Sequence, residues 1–325
     1  MTTDELRKLP KIELHCHLDG SLSREFIEER LGRSVDETEI RVSEDCRNLE
    51  EYLGKFVLPI ACLQDQAGLA GAGYDVLRTM GSENVCYAEI RFDPIACGQK
   101  GMNTEQAIEA LLRGLERGKQ DFGVAYNVIV CAMRHYSEEQ NYEMIRMARQ
   151  FLGAGVCGAD LAGAEAQYPM TEFIHLFEKV KKLGMPCTIH AGECGNADNI
   201  ADAVKVGAKR IGHGIAMRGR DDIQELVKEA GVGIEMCPIS NLQTKAVSCQ
   251  EEYPLREFLD RGLLVTINTD NRAVSGTSLT KELKFIAEAY GMRDEDILLC
   301  MKNAAEVSFA DDGMKEKLRG CFEKV

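Results

Sequence analysis

Long apolar runs are missing from this 325-residue chain: none approaches the ~18 consecutive apolar residues that a membrane-spanning helix needs. The opening Met1-Thr2-Thr3-Asp4-Glu5-Leu6 has no apolar signal core, so a cytoplasmic protein with no membrane role is expected. Basic residues are in deficit. Lys and Arg number 39 against 53 Asp and Glu, a net charge of −14, which argues against the clustered positive surface that nucleic-acid binding needs. The 13 cysteines include no Cys-x-x-Cys pair and their number is odd. A chain of this length does not need disulfide staples, so reduced thiols are expected. No Ser/Pro/Gly-rich linker divides the sequence, and residues 1–325 are read as a single domain. No glycine-rich phosphate loop follows an early strand, which counts against a doubly wound nucleotide-binding sheet.

What is present is 45% hydrophobic and 28% charged, the balance of a well-cored globular chain. Short β-rich runs alternate with helical patterns, the signature of successive β-α units on a parallel sheet. Strand cores are expected at Glu13–His17, Val85–Phe92, Ala125–Cys131, Cys157–Ala162, Cys187–His190, Arg210–Gly214, Gly233–Met236 and Leu264–Asn268. Several intervening helices end at a glycine: Gly123, Gly184, Gly207, Gly231 and Gly262. Eight strands with helical returns point to an α/β fold, a (β/α)8 TIM barrel. Two regions exceed that plan, an inserted helical region between Ser21 and Asn84 and a C-terminal helical tail from Ser278. The insertion contains Tyr52-Leu53-Gly54-Lys55-Phe56-Val57-Leu58-Pro59-Ile60. It reads equally as an apolar lid over the barrel mouth or as a helix pair packing its own stripe.

The polar residues that break the pattern fall at strand ends. The first strand closes on His15-Cys16-His17, and residues two apart on a strand face one way. The fifth runs into His190-Ala191-Gly192-Glu193, the sixth into Gly212-His213-Gly214 and the eighth into Thr269-Asp270-Asn271. Four of the six histidines therefore sit where a barrel keeps its chemistry. His175 reads as the polar side of a helix, and His135 has a rim position without an assigned role. Three imidazoles and a carboxylate suit Zn2+, and His15, His17, His190 and Asp270 are taken as ligands. Fe2+, Mn2+ and Co2+ share this donor preference, and the alternative is a buried polar network at the rim. Glu193 is placed to supply a proton while a metal-activated water attacks, and His213 to orient that water. Cys16 and Cys194 are read as packing or exposed residues, because a cysteine nucleophile needs a paired base.

In combination these segments resemble the adenosine deaminase family of zinc-dependent aminohydrolases. The matching blocks are Leu9 to Ser21, Gly158 to Glu165, His190 to Glu193, Arg210 to Gly214, Cys237-Pro238-Ile239-Ser240-Asn241 and Asn268-Thr269-Asp270, in the family's order across nearly the whole chain. The resemblance implies the barrel, one Zn2+ on the four ligands already chosen, and purine deamination. It implies that zinc-bound hydroxide adds to C6 with His213 and Asp270 assisting, that Glu193 protonates N1, and that ammonia leaves. It also places the Gly163 N–H at purine N3, His17 and Asp19 at the ribose, and Leu53, Phe56 and Leu58 on the apolar wall. Many members carry a second aspartate facing N7 where this chain has Asn271, whose amide donates without needing a proton of its own.

The resemblance points to adenosine and 2′-deoxyadenosine as substrates, with purine salvage as the setting. Adenine-specific relatives tend to carry Glu at the position of Asp19, so adenine and modified adenine nucleosides are the nearest alternatives. A metal-dependent phosphoesterase also opens on His-x-His but needs ligands for two or three metals. A catalytically dead barrel would have lost a ligand or the proton donor, and none is missing.

Overall fold

A computed structural model describes residues 1–43, 46 and 49–323. Eight strands run through it: β1 (Lys11–His17), β2 (Val85–Phe92), β3 (Ala125–Met133), β4 (Val156–Ala162), β5 (Thr188–Ala191), β6 (Arg210–His213), β7 (Gly233–Met236) and β8 (Leu264–Ile267). Each expected strand is found, with its ends moved by no more than two residues. Parallel strands covered on both faces need near-continuous apolar runs. Ile189, Ile211, Ile234 and Val265 are accordingly all fully buried.

Neighbouring strands pair in parallel in the orders β1-β2-β3-β4 and β5-β6-β7-β8. Single bridges join the two ribbons at both seams. Ala159 pairs with Cys187 between β4 and β5, and Cys16 pairs with Asp270 between β1 and the residues after β8. The sheet thus closes as the (β/α)8 barrel. The second seam matters for function, because the His17 N–H donates to the Asp270 carbonyl at 2.8 Å and the Asp270 N–H to the His15 carbonyl at 2.8 Å. Residues some 250 positions apart are locked side by side by their backbones.

Helix ends follow local chemistry. The helix Thr104–Phe122 starts on a reciprocal cap between Asn103 and Gln106 and stops at Gly123, whose φ is 73°. The five glycines expected to end helices all have positive φ.

The C-terminal region from Ser278 is helical, as expected. Its helix Asp294–Val307 packs on β8 and β1, covering the seam where the barrel closes. Within the early insertion, the helix Gln66–Gly81 packs on Thr104–Phe122 and β2, so it is the return helix of the first β-α unit. The shorter helices before it are the true insertion. There Tyr52 and Phe56 pack with Val42, Cys46 and Val274 in a small apolar cluster separate from the main core.

Candidate active site

The strand ends bring His15, His17, His190, His213 and Asp270 around one point of the barrel mouth. Two donor groups satisfy metal-binding spacing, His15/His17/Asp270 and His15/His190/His213, and both share His15. Among the described residues they therefore make one centre. His15 Nε2 is buried, has no hydrogen-bond partner among the described residues, and lies 3.5 Å from Asp270 Oδ1. His17 Nε2 is also 3.5 Å from Asp270 Oδ1 and 3.2 Å from His190 Nε2. A tetrahedron with Zn–N bonds of ~2.0–2.1 Å has edges of about 3.3 Å. These lone pairs facing one another in a buried space fit a cation between them.

The outer faces of the His15 and His190 rings are fixed. His15 Nδ1 donates to Glu235 Oε2 at 2.8 Å, which leaves Nε2 unprotonated and facing the centre. His190 Nδ1 lies 2.9 Å from Asp160 Oδ2 in the same relation. Arg91 spans the two carboxylates, 2.9 Å from Asp160 and 2.8 Å from Glu235. Arg210 adds a second guanidinium at 2.5 Å from Glu235. Burial alone would raise Glu235, but Arg91 and Arg210 outweigh it and hold the group well below the usual carboxylate range. Burial pushes His17 well below its ordinary value, so its imidazole stays neutral. Ser240 Oγ donates to Asp270 Oδ2 at 2.6 Å, freeing the other oxygen for the centre. Sequence reasoning assigned no role to Asp160, Glu235, Arg91 or Ser240. The available signal was a charged residue inside an apolar strand, as in Gly233-Ile234-Glu235-Met236.

His213 and Glu193 meet on the open side. Asn241 Nδ2 donates to His213 Nδ1 at 3.0 Å, and Tyr253 holds the Asn241 carbonyl oxygen at 3.2 Å. In the neutral ring Nε2 then carries the proton, 3.7 Å from Glu193 Oε2. Thr244 Oγ1 donates to Glu193 Oε1 at 3.5 Å. His213 and Asp270 are two of the few non-glycine residues with positive φ, 66° and 59°. Such strain is retained where the surroundings over-determine a side chain's aim.

A cavity of about 350 Å³ opens over this centre. Asp19, Gly163 and Asn271 line it with His17, Glu193, His213 and Asp270, so the expected site residues are brought together at one wall. Burial, then the neighbouring Asp93, pushes the Asp19 carboxyl up to about 7. Gly20 must be glycine, because a Cβ there would lie 1.9 Å from Asn271 Oδ1. Tyr52, Leu53, Phe56 and Ile60 form the apolar side, so the lid reading of the insertion holds. Leu58 does not join them; it packs against the main core, and Ile60 stands at the cavity in its place. His135 lines the rim. His175 lies on the surface 2.9 Å from Glu138. Cys16 is fully buried on Ser21, and Cys194 is exposed.

The chain has counterparts among known proteins. A family model described as "Adenosine deaminase" matches residues 10–325. An adenosine deaminase of Enterococcus faecalis is 39% identical over 327 residues, covering 98% of this chain and 97% of that protein. The solved adenine deaminase of Arthrobacter aurescens superposes with a TM-score of 0.86 at 27% identity, over 97% of this chain and 98% of that one. An amidohydrolase from Burkholderia ambifaria, solved with bound Zn, shares the fold at 20% identity with a TM-score of 0.89, over 99% and 92% of the two chains.

Proposed function

The chain belongs to the adenosine deaminase family, and from that premise we propose that it hydrolyses adenosine and 2′-deoxyadenosine to inosine and 2′-deoxyinosine with release of ammonia. One observation carries the reading: the His15, His17, His190 and Asp270 donors converge while Glu193 and His213 face the same cavity. His15, His17, His190 and Asp270 would hold one Zn2+. Bound there, Zn2+ would lower the pKa of a water towards ~7 and so supply a nucleophile at neutral pH.

The chain's own residues do the rest. His213 Nε2–H donates to the attacking oxygen, and Asp270 accepts a proton from it. Glu193 delivers its carboxyl proton to N1 as the oxygen adds to C6, so that the ring nitrogen gains a hydrogen while C6 becomes tetrahedral. The amine then leaves as ammonia, taking the hydroxyl proton, and N1–H with C6=O remains. The Gly163 N–H meets N3, Asn271 donates to N7, and His17 and Asp19 hold the ribose. Leu53, Phe56 and Ile60 cover the site and exclude water. Residues 1–325 act as one catalytic domain. Thirteen cysteines with no Cys-x-x-Cys pair suit a reducing compartment, so the cytoplasm is the proposed location.

Adenine is the competing substrate, since the Arthrobacter relative is named for it. We favour the nucleoside because the Enterococcus relative is closer in sequence and Asp19 leaves room for a ribose. The test is the fall in adenosine absorbance near its ultraviolet maximum, measured for wild type and Glu193→Gln. Wild type is expected to turn over adenosine faster than adenine. The variant is expected to keep its metal and lose nearly all turnover. Faster adenine turnover would reverse the substrate assignment, and an active variant would remove Glu193 from its role.

A further inference from the structure

We propose that Glu165 is a positioning residue for the proton donor, and that its carboxylate, lodged in the backbone turn 192–194, is what holds Glu193 against the purine. The inference rests on the reading of Glu193 as the N1 acid. Glu165 comes from the loop after β4, whereas Glu193 follows β5. Its carboxylate is buried and only accepts. Oε1 takes the Gly192 N–H at 2.7 Å and Asn199 Nδ2 at 2.6 Å. Oε2 takes the N–H of Glu193 at 3.0 Å and of Cys194 at 3.2 Å.

Three successive N–H groups converging on one anion form a nest, an arrangement that usually cradles a ligand. Here the anion is the protein's own. Gly192 makes the turn possible with φ +74°, and a Cβ there would meet Ile200 Cδ1 at 2.5 Å. Beyond it Cys194, Gly195 and Asn196 are exposed, so the turn has little packing to hold it. Among the described residues the Glu193 side chain has only long contacts, 3.5 Å to Thr244 and 3.7 Å to His213. Its placement is therefore inherited from its backbone, and that backbone is pinned by Glu165. Gly163, two residues earlier on the same loop, lines the cavity. Glu165 thus ties the loop expected at N3 to the loop carrying the N1 acid.

Glu165→Gln is the sharp test. Each carboxylate oxygen takes two donors, so either orientation of the amide sets an NH2 against two N–H groups. The expected result is a kcat lowered about 10- to 100-fold, the scale of a misplaced reacting group, with unchanged zinc content and little change in KM. Because Glu165 acts through Glu193, adding the substitution to Glu193→Gln is expected to cost no more than about 2-fold, the scatter between independent sites. Glu165→Asp keeps the acceptors on a shorter arm and is expected to lose less; it carries the same cycle should the glutamine variant not fold. Wild-type kcat in the variants, or the same loss with and without Glu193, would overturn the proposal. If Glu193→Gln itself stays active, the acid assignment falls instead, which is a separate outcome.

Discussion

The barrel interior and its mouth both hold buried polar and charged groups and treat them in opposite ways. Inside, Glu89, Arg91, Asp160, Arg210 and Glu235 are all fully buried, and every carboxylate meets a guanidinium between 2.5 and 2.9 Å away. At the mouth His15 Nε2 and Asn271 Oδ1 are buried without a partner among the described residues. Glu193 is held only at long range, and His213 and Asp270 have left-handed backbones. Buried polar groups are normally satisfied, and exceptions need an explanation such as an ion or a ligand. The interior network is not evidence of extra stability, since burying such pairs roughly cancels their attraction. Its value lies in direction: it tells two imidazoles where to point.

That contrast can be broken at several strengths. Removing the metal by chelation is expected to abolish adenosine turnover while leaving the barrel folded by far-ultraviolet circular dichroism. Restored turnover on adding Zn2+ completes the test, and full activity in metal-free protein would end the distinction between mouth and interior.

An ion pair at the edge of the interior is expected to act on stability alone. Glu83 lies 2.6 Å from Arg272 and accepts the Thr280 N–H at 2.8 Å. Burial would raise it, but Arg272 and the hydrogen bonds win and hold it at about 2, below the usual carboxylate range. A depressed carboxylate stabilises the fold above its unfolded pKa and loses that contribution as pH falls through the folded value. Glu83→Gln is thus expected to cost about 3 kcal/mol in urea unfolding at neutral pH, shrinking between about pH 4.5 and 2. A pH-independent difference would contradict the ion-pair account.

Next in size is Asp160→Asn, which removes an imidazole-orienting carboxylate without touching the centre. A 10- to 100-fold loss of zinc affinity is expected in a competition with a coloured chelator. Unchanged affinity would show that the interior does not direct the mouth. The smallest effect is expected for Asn271→Asp. The amide donates at any pH, whereas an aspartate must be protonated to donate. KM for adenosine should therefore rise several-fold from pH 6 to pH 8 in the variant and stay flat in the parent enzyme, a difference on the order of 1 kcal/mol, one net hydrogen bond. Parallel profiles would remove Asn271 from the base contact.

Much of this was legible in the chain. His15 and His17 share an orientation because strand side chains repeat every two residues, and the glycine stops followed from the left-handed backbone that ends helices. The site histidines stood out because histidine is scarce here and four of six sit at strand ends. Less was legible where phase or partner mattered. Leu58 lies on a short helix, Val57–Cys62, where residues two apart face nearly opposite sides, so only one of Leu58 and Ile60 reaches the cavity. The role of Helix Asp294–Val307 at the seam was hidden, since an amphipathic pattern shows that a face is buried and not what covers it. Glu165 stood in a matching block without a role because its four donors come from the loop and helix that follow a different strand.

The order of strands and helices, the chemical kinds of the metal donors and the presence of an acid beside them were set by local pattern, which acts over a few residues. Which carboxylate meets which imidazole, and how closely Glu193 can approach a purine, were decided only on closure of the barrel. The Asp270–His15 and Asp270–His17 backbone bonds form across a seam between chain segments far apart in sequence. Strand register at such a seam is a property of the closed sheet, and no stretch of sequence carries it alone.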